Sequence, residues 1–316
     1  MQASTYRLNP RGSLANPRGE ICFMNSMLQC MLFVAPFAGM IENSPSSPTR
    51  TVLLRLMDEL GRGRSAHAQD LLKCDTLRRF TPGWHDAADF VMAVLEALDP
   101  TNPEDQQLTT VSTVMTMTCK VPAVPPLPAV PPLIVQDAVA VVLLQEIAGY
   151  PGYALDLMAR ALFHLDATRR ARVHDDDEDY LAEFVMTRCV ITKLPPVLLV
   201  KAPPGLEKSP PLAPLRGEIP TQIDMETVAA PYGSDLAHVD CVDAAVPYLL
   251  RAICFYKPGH YVAGLLRDDG LVEWHNDETT QILGNLPAVL DYAEQDAFQP
   301  YLLVYEKQAV RIVQSK

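Results

Sequence analysis

Residues 19–30 read GEICFMNSMLQC, and the segment runs on as MLF. A glycine-containing turn delivers Cys22 directly to the start of a run that reads as helix. Unpaired backbone N–H groups and the positive end of the macrodipole at such a position favour thiolate over thiol. Cys22 is therefore either packing material or a nucleophile, and the rest of the chain has to decide between the two.

Outward from that stretch, residues 22–42 read as a buried helix interrupted at Pro36, and SPSSPT at 44–49 reads as a loop. VLLRLMDELG at 52–61 has apolar spacing near 3.6 and stops at a glycine, the pattern of an amphipathic helix. DAADFVMAVLEALDP at 86–100 is a further helix, with Asp86 at its N-terminal end and Pro100 just past the other. The pattern then breaks. PAVPPLPAVPPL at 122–133 is a tandem hexapeptide repeat, whose prolines enforce an extended backbone and forbid a helix or a central strand. Two readings stay open for it: a surface insertion grown by duplication, or a docking site for a proline-recognition domain. DDDED at 175–179 reads as a solvated acidic loop. Beyond it, short β-rich runs at 184–192, 196–202, 248–256, 260–267, 271–275 and 301–307 are separated by Pro, Gly and Asp. Helices first and mainly strands after predict an α+β protein with a cleft between the two parts.

The 316 residues suffice for a sizeable core, and 48% hydrophobic with 20% charged residues is ordinary for a globular chain. A net charge of −12 argues against a nucleic-acid binder, which needs a basic surface. No apolar run is long enough to cross a bilayer. The seven cysteines, Cys22, Cys30, Cys74, Cys119, Cys189, Cys241 and Cys254, are odd in number and widely spaced, and no signal peptide precedes them. That reads as free thiols in a reducing, intracellular compartment, cytoplasmic and/or nuclear. No CxxC pair exists, so zinc-finger-type metal binding is not expected, nor is a cofactor.

A cysteine nucleophile needs a base, and the base needs an orienting partner. His67, His85, His164, His174 and His238 carry no special signature and read as surface or packing residues. His260 differs, because KPGHYVAGLL places it after a glycine at the start of an alternating strand. A hairpin turn at RDDGL then returns the chain as VEWHNDE, bringing Asn276 or Asp277 back toward His260. The order Cys, His, Asn/Asp is the papain-like constellation.

LANPRGEICFMNSMLQ, at 14–29, resembles the cysteine box of the ubiquitin-specific proteases, and GHYVAGLLRDDGLVEWHNDE, at 259–278, resembles their histidine box. HDAADF at 85–90, KLPPVLLVKA at 193–202 and QPYLLVYEK at 299–307 are similar to three further landmarks of that family, in the same order. The resemblance implies one catalytic domain over 1–316 with the papain-like, hand-shaped fold of the family: a helical thumb over about 14–115, and fingers and a β palm over about 116–316. It implies a thiol protease that hydrolyses the bond after the C-terminal glycine of ubiquitin. Cys22 falls on the nucleophile, His260 on the general base and Asn276 on the third member, with Asp277 as alternative orienter or oxyanion-side group. Asp86 and Asp89 fall in the thumb helix, where they line the substrate channel.

There are departures. The oxyanion asparagine lies five residues before the cysteine in the family; here that position is Pro17, and Asn16 lies one further out. A turn lengthened by one residue still presents Asn16, whereas losing an oxyanion donor costs about 10²–10³ in rate. Glu20 places a carboxylate two residues from the thiol, which would raise its pKa. His85 replaces a glutamine, and the missing CxxC pairs imply shortened, metal-free fingers. The alternatives are a protease for a ubiquitin-like modifier and a weakly catalytic ubiquitin-binding scaffold.

Overall fold

All eleven residues of α1 (Cys22–Leu32) are buried. A helix buried on every side offers no face to solvent, and its few polar residues, Asn25, Ser26 and Gln29, are enclosed with the rest. In the computed structural model, which describes residues 12–80, 83, 85–98, 108–119, 133–139, 142–143, 168–174, 179–202, 219–225, 228, 239–241 and 246–308, α1 lies between other helices and a sheet. The chain then turns by 95° into α2 (Ala35–Asn43). The break falls at Phe33–Val34 rather than at Pro36, which sits in the first turn of α2, where its missing N–H costs nothing. No single helix among the described residues is long and apolar enough to cross a membrane.

α3 (Pro48–Gly61) starts four residues earlier than its apolar spacing suggests. The Ser47 hydroxyl accepts from the Arg50 N–H at 3.1 Å, and Pro48 follows at the first helical position, so a serine-proline pair expected to be loop is a helix cap. Arg50 then donates to the carbonyls of Ile41 and Glu42 at the end of α2, at 3.0 and 2.7 Å. A 3₁₀ turn (Ala68–Lys73) and α4 (Ala87–Leu98) complete the helical layer.

The strands form two sheets. β1 (Val111–Cys119), β2 (Leu133–Val139), β4 (Thr168–His174) and the 15-residue β5 (Asp179–Lys193) make the first, in the order β2-β1-β5-β4 with β8 (Val239–Cys241) beside β5. This is the finger sheet. The palm runs β12 (Thr279–Gly284), β11 (Val272–Asn276), β10 (His260–Leu266), β9 (Tyr248–Lys257), β13 (Gln299–Lys307), β6 (Val197–Lys201), β3 (Val142–Leu143), and β7 (Gln222–Ile223) pairs with β9. The helical part ends at Leu98 and β1 opens at Val111, a little before the expected boundary near 115. The acidic run at 175–179 lies outside the described residues except Asp179, which opens β5; the proline repeat does too, except Leu133, which opens β2.

The central palm strands β6, β9, β10 and β13 are covered on both faces, so they are apolar along most of their length rather than alternating, whereas β12 at the edge is exposed. Val197, Leu199, Ala252, Cys254, Ala263, Leu265, Leu302 and Val304 point into the core shared with α1 to α4. Their neighbours Leu198, Val200, Ile253, Phe255, Val262, Leu303 and Tyr305 point into a second core, which also holds α5 (Leu286–Gln295). The six expected strands are present, with Cys22 at the start of α1 and His260 at the start of β10 on facing elements.

Candidate active site

Cys22 is the first residue of α1, and its N-cap, Ile21, has no side chain able to bond the helix amides. The thiol therefore lies among orphan N–H groups, yet its pKa moves opposite to the sequence expectation. Burial pushes the Cys22 thiol above its ordinary value; the Tyr261 backbone N–H pulls it back, the Asp277 carboxylate pushes it up again, and the amides of Phe23 and Cys22 lower it less. Desolvation outweighs the helix terminus. The acid that acts on the thiol is Asp277 rather than Glu20, which is exposed.

His260 follows the two-residue turn Pro258–Gly259, with Gly259 at φ +90°, a conformation that favours glycine. The next strand returns in the register Ala263↔His275 and Gly264↔Trp274. Extending that register puts Asn276 across from Val262, one pleat from His260 and on the same face. The His260 Nε2 and Asn276 Oδ1 are 2.7 Å apart. An amide oxygen only accepts, so in this contact Nε2 is the donor, and Nδ1 is the ring nitrogen that Asn276 does not engage. The backbone of Tyr261, the residue after His260, lies near enough to the Cys22 thiol to favour its thiolate, so the start of β10 adjoins the start of α1.

Asp277 goes elsewhere. Its backbone is left-handed at φ +49°, and its carboxylate accepts from Asn16 Nδ2 at 3.0 Å and Asn25 Nδ2 at 3.1 Å. The asparagine, not the aspartate, meets the imidazole. Asn16 is thereby brought to the site despite the extra residue. A turn closed by the Gly19 N–H on the Asn16 carbonyl, at 3.0 Å, absorbs Pro17 and Arg18. The Asn16 Oδ1 also accepts from the Ile21 N–H at 3.3 Å, immediately before Cys22. Asn25, which the sequence reading did not single out, also donates to the Leu14 and Ala15 carbonyls at 3.2 and 3.4 Å. It ties the strand end, the cysteine helix and the preceding segment together. Its position in the FMNS part of the cysteine box was the available signal.

Asp86 and Asp89 are placed differently from one another. Asp86 caps α4, accepting from the N–H groups of Ala88 at 2.7 Å and Asp89 at 3.4 Å. Its other contacts are Lys201 Nζ at 2.5 Å and the Tyr301 hydroxyl, so it joins the thumb helix to β6 and β13. Burial raises the Asp86 carboxyl, but the hydrogen bonds from Lys201 and Tyr301 outweigh it, and the pKa lies below the usual carboxylate range. Asp89 is exposed on the surface of α4. His85 packs against Phe23 and Phe80, with ring centroids 5.2 and 5.4 Å away.

The family model for ubiquitin carboxyl-terminal hydrolase matches residues 14–305. A sequence search of curated proteins finds no significant match. Among solved structures, the chain is similar to one from the Ubp8-Sgf11-Sgf73-Sus1 SAGA DUB module, with a TM-score of 0.61 and 18% identity over 98% of this chain and 70% of the other. It is also similar to the module bound to monoubiquitin (TM-score 0.61, 16% identity, 97% and 71% covered). A third, bound to ubiquitin aldehyde, gives a TM-score of 0.62 at 18% identity, with 98% and 72% covered. At these identities the structures establish the fold, and the family match spans nearly all of the chain. The chain therefore belongs to the ubiquitin carboxyl-terminal hydrolase family, the deubiquitinating cysteine peptidases.

Proposed function

We propose that the protein cleaves the peptide or isopeptide bond after the C-terminal glycine of ubiquitin, with Cys22 as nucleophile, His260 as general base and Asn276 as the group that orients it. The observation that carries the reading is the 2.7 Å contact between His260 Nε2 and Asn276 Oδ1. It leaves Nδ1 as the basic nitrogen on a ring beside the cysteine helix. Burial and Asp277 keep the resting nucleophile a thiol, so the proton leaves only as attack begins.

Nδ1 of His260 takes the Cys22 proton as Sγ adds to the glycine carbonyl. The resulting oxyanion is met by the Cys22 backbone N–H and by the Asn16 side-chain N–H that Asp277 does not hold. The imidazolium then protonates the departing amine, the C–N bond breaks, and a thioester remains. Water, deprotonated by His260, adds to the thioester; its collapse releases the carboxylate and returns the thiol. Ubp8 structures bound to monoubiquitin and ubiquitin aldehyde share this fold, which supports ubiquitin as the modifier.

The test is a ubiquitin whose C-terminus carries a thiol-reactive electrophile. Wild type is expected to be labelled, and Cys22→Ala is not. Labelling by a ubiquitin-like modifier probe alone would assign that substrate instead. A protein that binds ubiquitin but takes up no probe would be a scaffold.

A further inference from the structure

His260 has one more neighbour, the ring of Phe298, and the backbone that carries this ring is built to hold it still. α5 ends in a pair of reversed hydrogen bonds, from Ala297 N–H to the Glu294 carbonyl at 2.9 Å and from Phe298 N–H to the Ala293 carbonyl at 2.8 Å. Ala297 between them is left-handed at φ +61°. This is the Schellman arrangement, with alanine where glycine is usual. It fixes Phe298 immediately before β13 begins.

The ring is 5% exposed and touches three groups. It stands edge-on to Trp274 with centroids 5.7 Å apart, and Trp274 rests on Phe255 at 5.0 Å. It lies 5.9 Å from the His260 imidazole, tilted by 54°. Lys257 Nζ lies 4.2 Å from its centroid. Lys257 and His260 face each other across the Pro258–Gly259 turn, so both ends of that turn are seated on one aromatic ring.

A single hydrogen bond at Nε2 leaves an imidazole free to swing about its broad χ2 torsion. We propose that Phe298 is a positioning residue that removes this freedom, forming the wall that keeps Nε2 on Asn276 and so reserves Nδ1 for the Cys22 proton. The ring stands beside the imidazole, and Lys257, over the same ring, holds the turn against it. The inference rests on the reading of His260 as the base.

It is tested in the full chain with ubiquitin bearing a fluorogenic C-terminal amide, using Phe298→Leu, Phe298→Tyr and His260→Ala. Phe298→Leu is expected to lower kcat about tenfold at unchanged KM, because a misplaced catalytic group costs up to about 10²-fold. Phe298→Tyr, which keeps the wall, should restore most of it. In the wild-type protein, the His260 Cε1–H resonance should be displaced by the ring current relative to that of exposed His67. Phe298→Tyr should keep the displacement and Phe298→Leu should lose it. Unchanged kcat in folded Phe298→Leu, failure of Phe298→Tyr to restore it, or an undisplaced wild-type resonance would each overturn the inference; the last needs no variant to fold. If His260→Ala retains turnover, the proposed function itself fails. If it is inactive, the Phe298 results judge this inference alone.

Discussion

Asp277 combines two features that seldom meet: a left-handed backbone and a carboxylate holding two asparagines, Asn16 and Asn25, from opposite sides. Aspartate and asparagine tolerate that backbone better than most residues, so Asp277→Asn keeps the turn while removing the charge. Loss of a nearby negative charge stabilises the thiolate, so the Cys22 pKa is expected to fall. The rate of Cys22 alkylation by iodoacetamide against pH measures this, with the inflection moving to lower pH. Turnover should still drop, by about tenfold, because the amide exchanges one of the two accepting oxygens for an NH2 that meets an asparagine donor, and the clamp on Asn16 loosens. That the chain returns toward His260 near 276–277 was legible from the hairpin pattern, while the choice of Asn276 over Asp277 as the group that meets the ring was left open by it. The clamp on Asn16 was not legible, since its partner lies 261 positions along the chain. The direction of the Cys22 shift was misjudged for a related reason: a helix N-terminus is visible in sequence, and the burial that outweighs it is not.

Among the elements, the ends were harder to read than the middles. α3 begins at a Ser47-Pro48 cap that resembles a loop, and α5 escaped notice although Asn285 caps it by accepting from the Ala288 N–H at 3.2 Å. The exit of α5 carries no glycine, so its stop signal was silent. Ala297→Gly should relieve the left-handed strain there and raise stability by about 0.5–1 kcal/mol in urea unfolding. The start of α4 gives a pH-dependent expectation. The Asp86 carboxyl lies below its unfolded value, so its contribution is complete above about pH 4 and is lost as pH falls through the folded pKa. Asp86→Asn should cost about 1–3 kcal/mol at neutral pH, from the lost charge pairing with Lys201, since an asparagine still caps the helix. Unfolding at pH 7 and pH 3 checks it: the gap between wild type and variant should narrow at the lower pH.

At the scale of the molecule, the order of helices before strands was open to sequence reading, and the division of the strands into two sheets was not. β1 and β5 pair across more than 60 residues of intervening chain, and composition gives no hint of which strands share a sheet. What the cysteine helix did disclose was that it has no solvent face. That property reaches beyond the finished fold to the making of it. The strands that cover α1, β9 and β10, begin only at Tyr248 and His260, so most of the chain must be translated before they exist. At about 5–20 residues per second, the ribosome leaves the helix without its cover for roughly ten to forty seconds. During that interval a largely apolar segment is on offer to chaperones and to neighbouring nascent chains. The same delay separates Cys22 from His260, the base proposed for it, which emerges more than two hundred residues later.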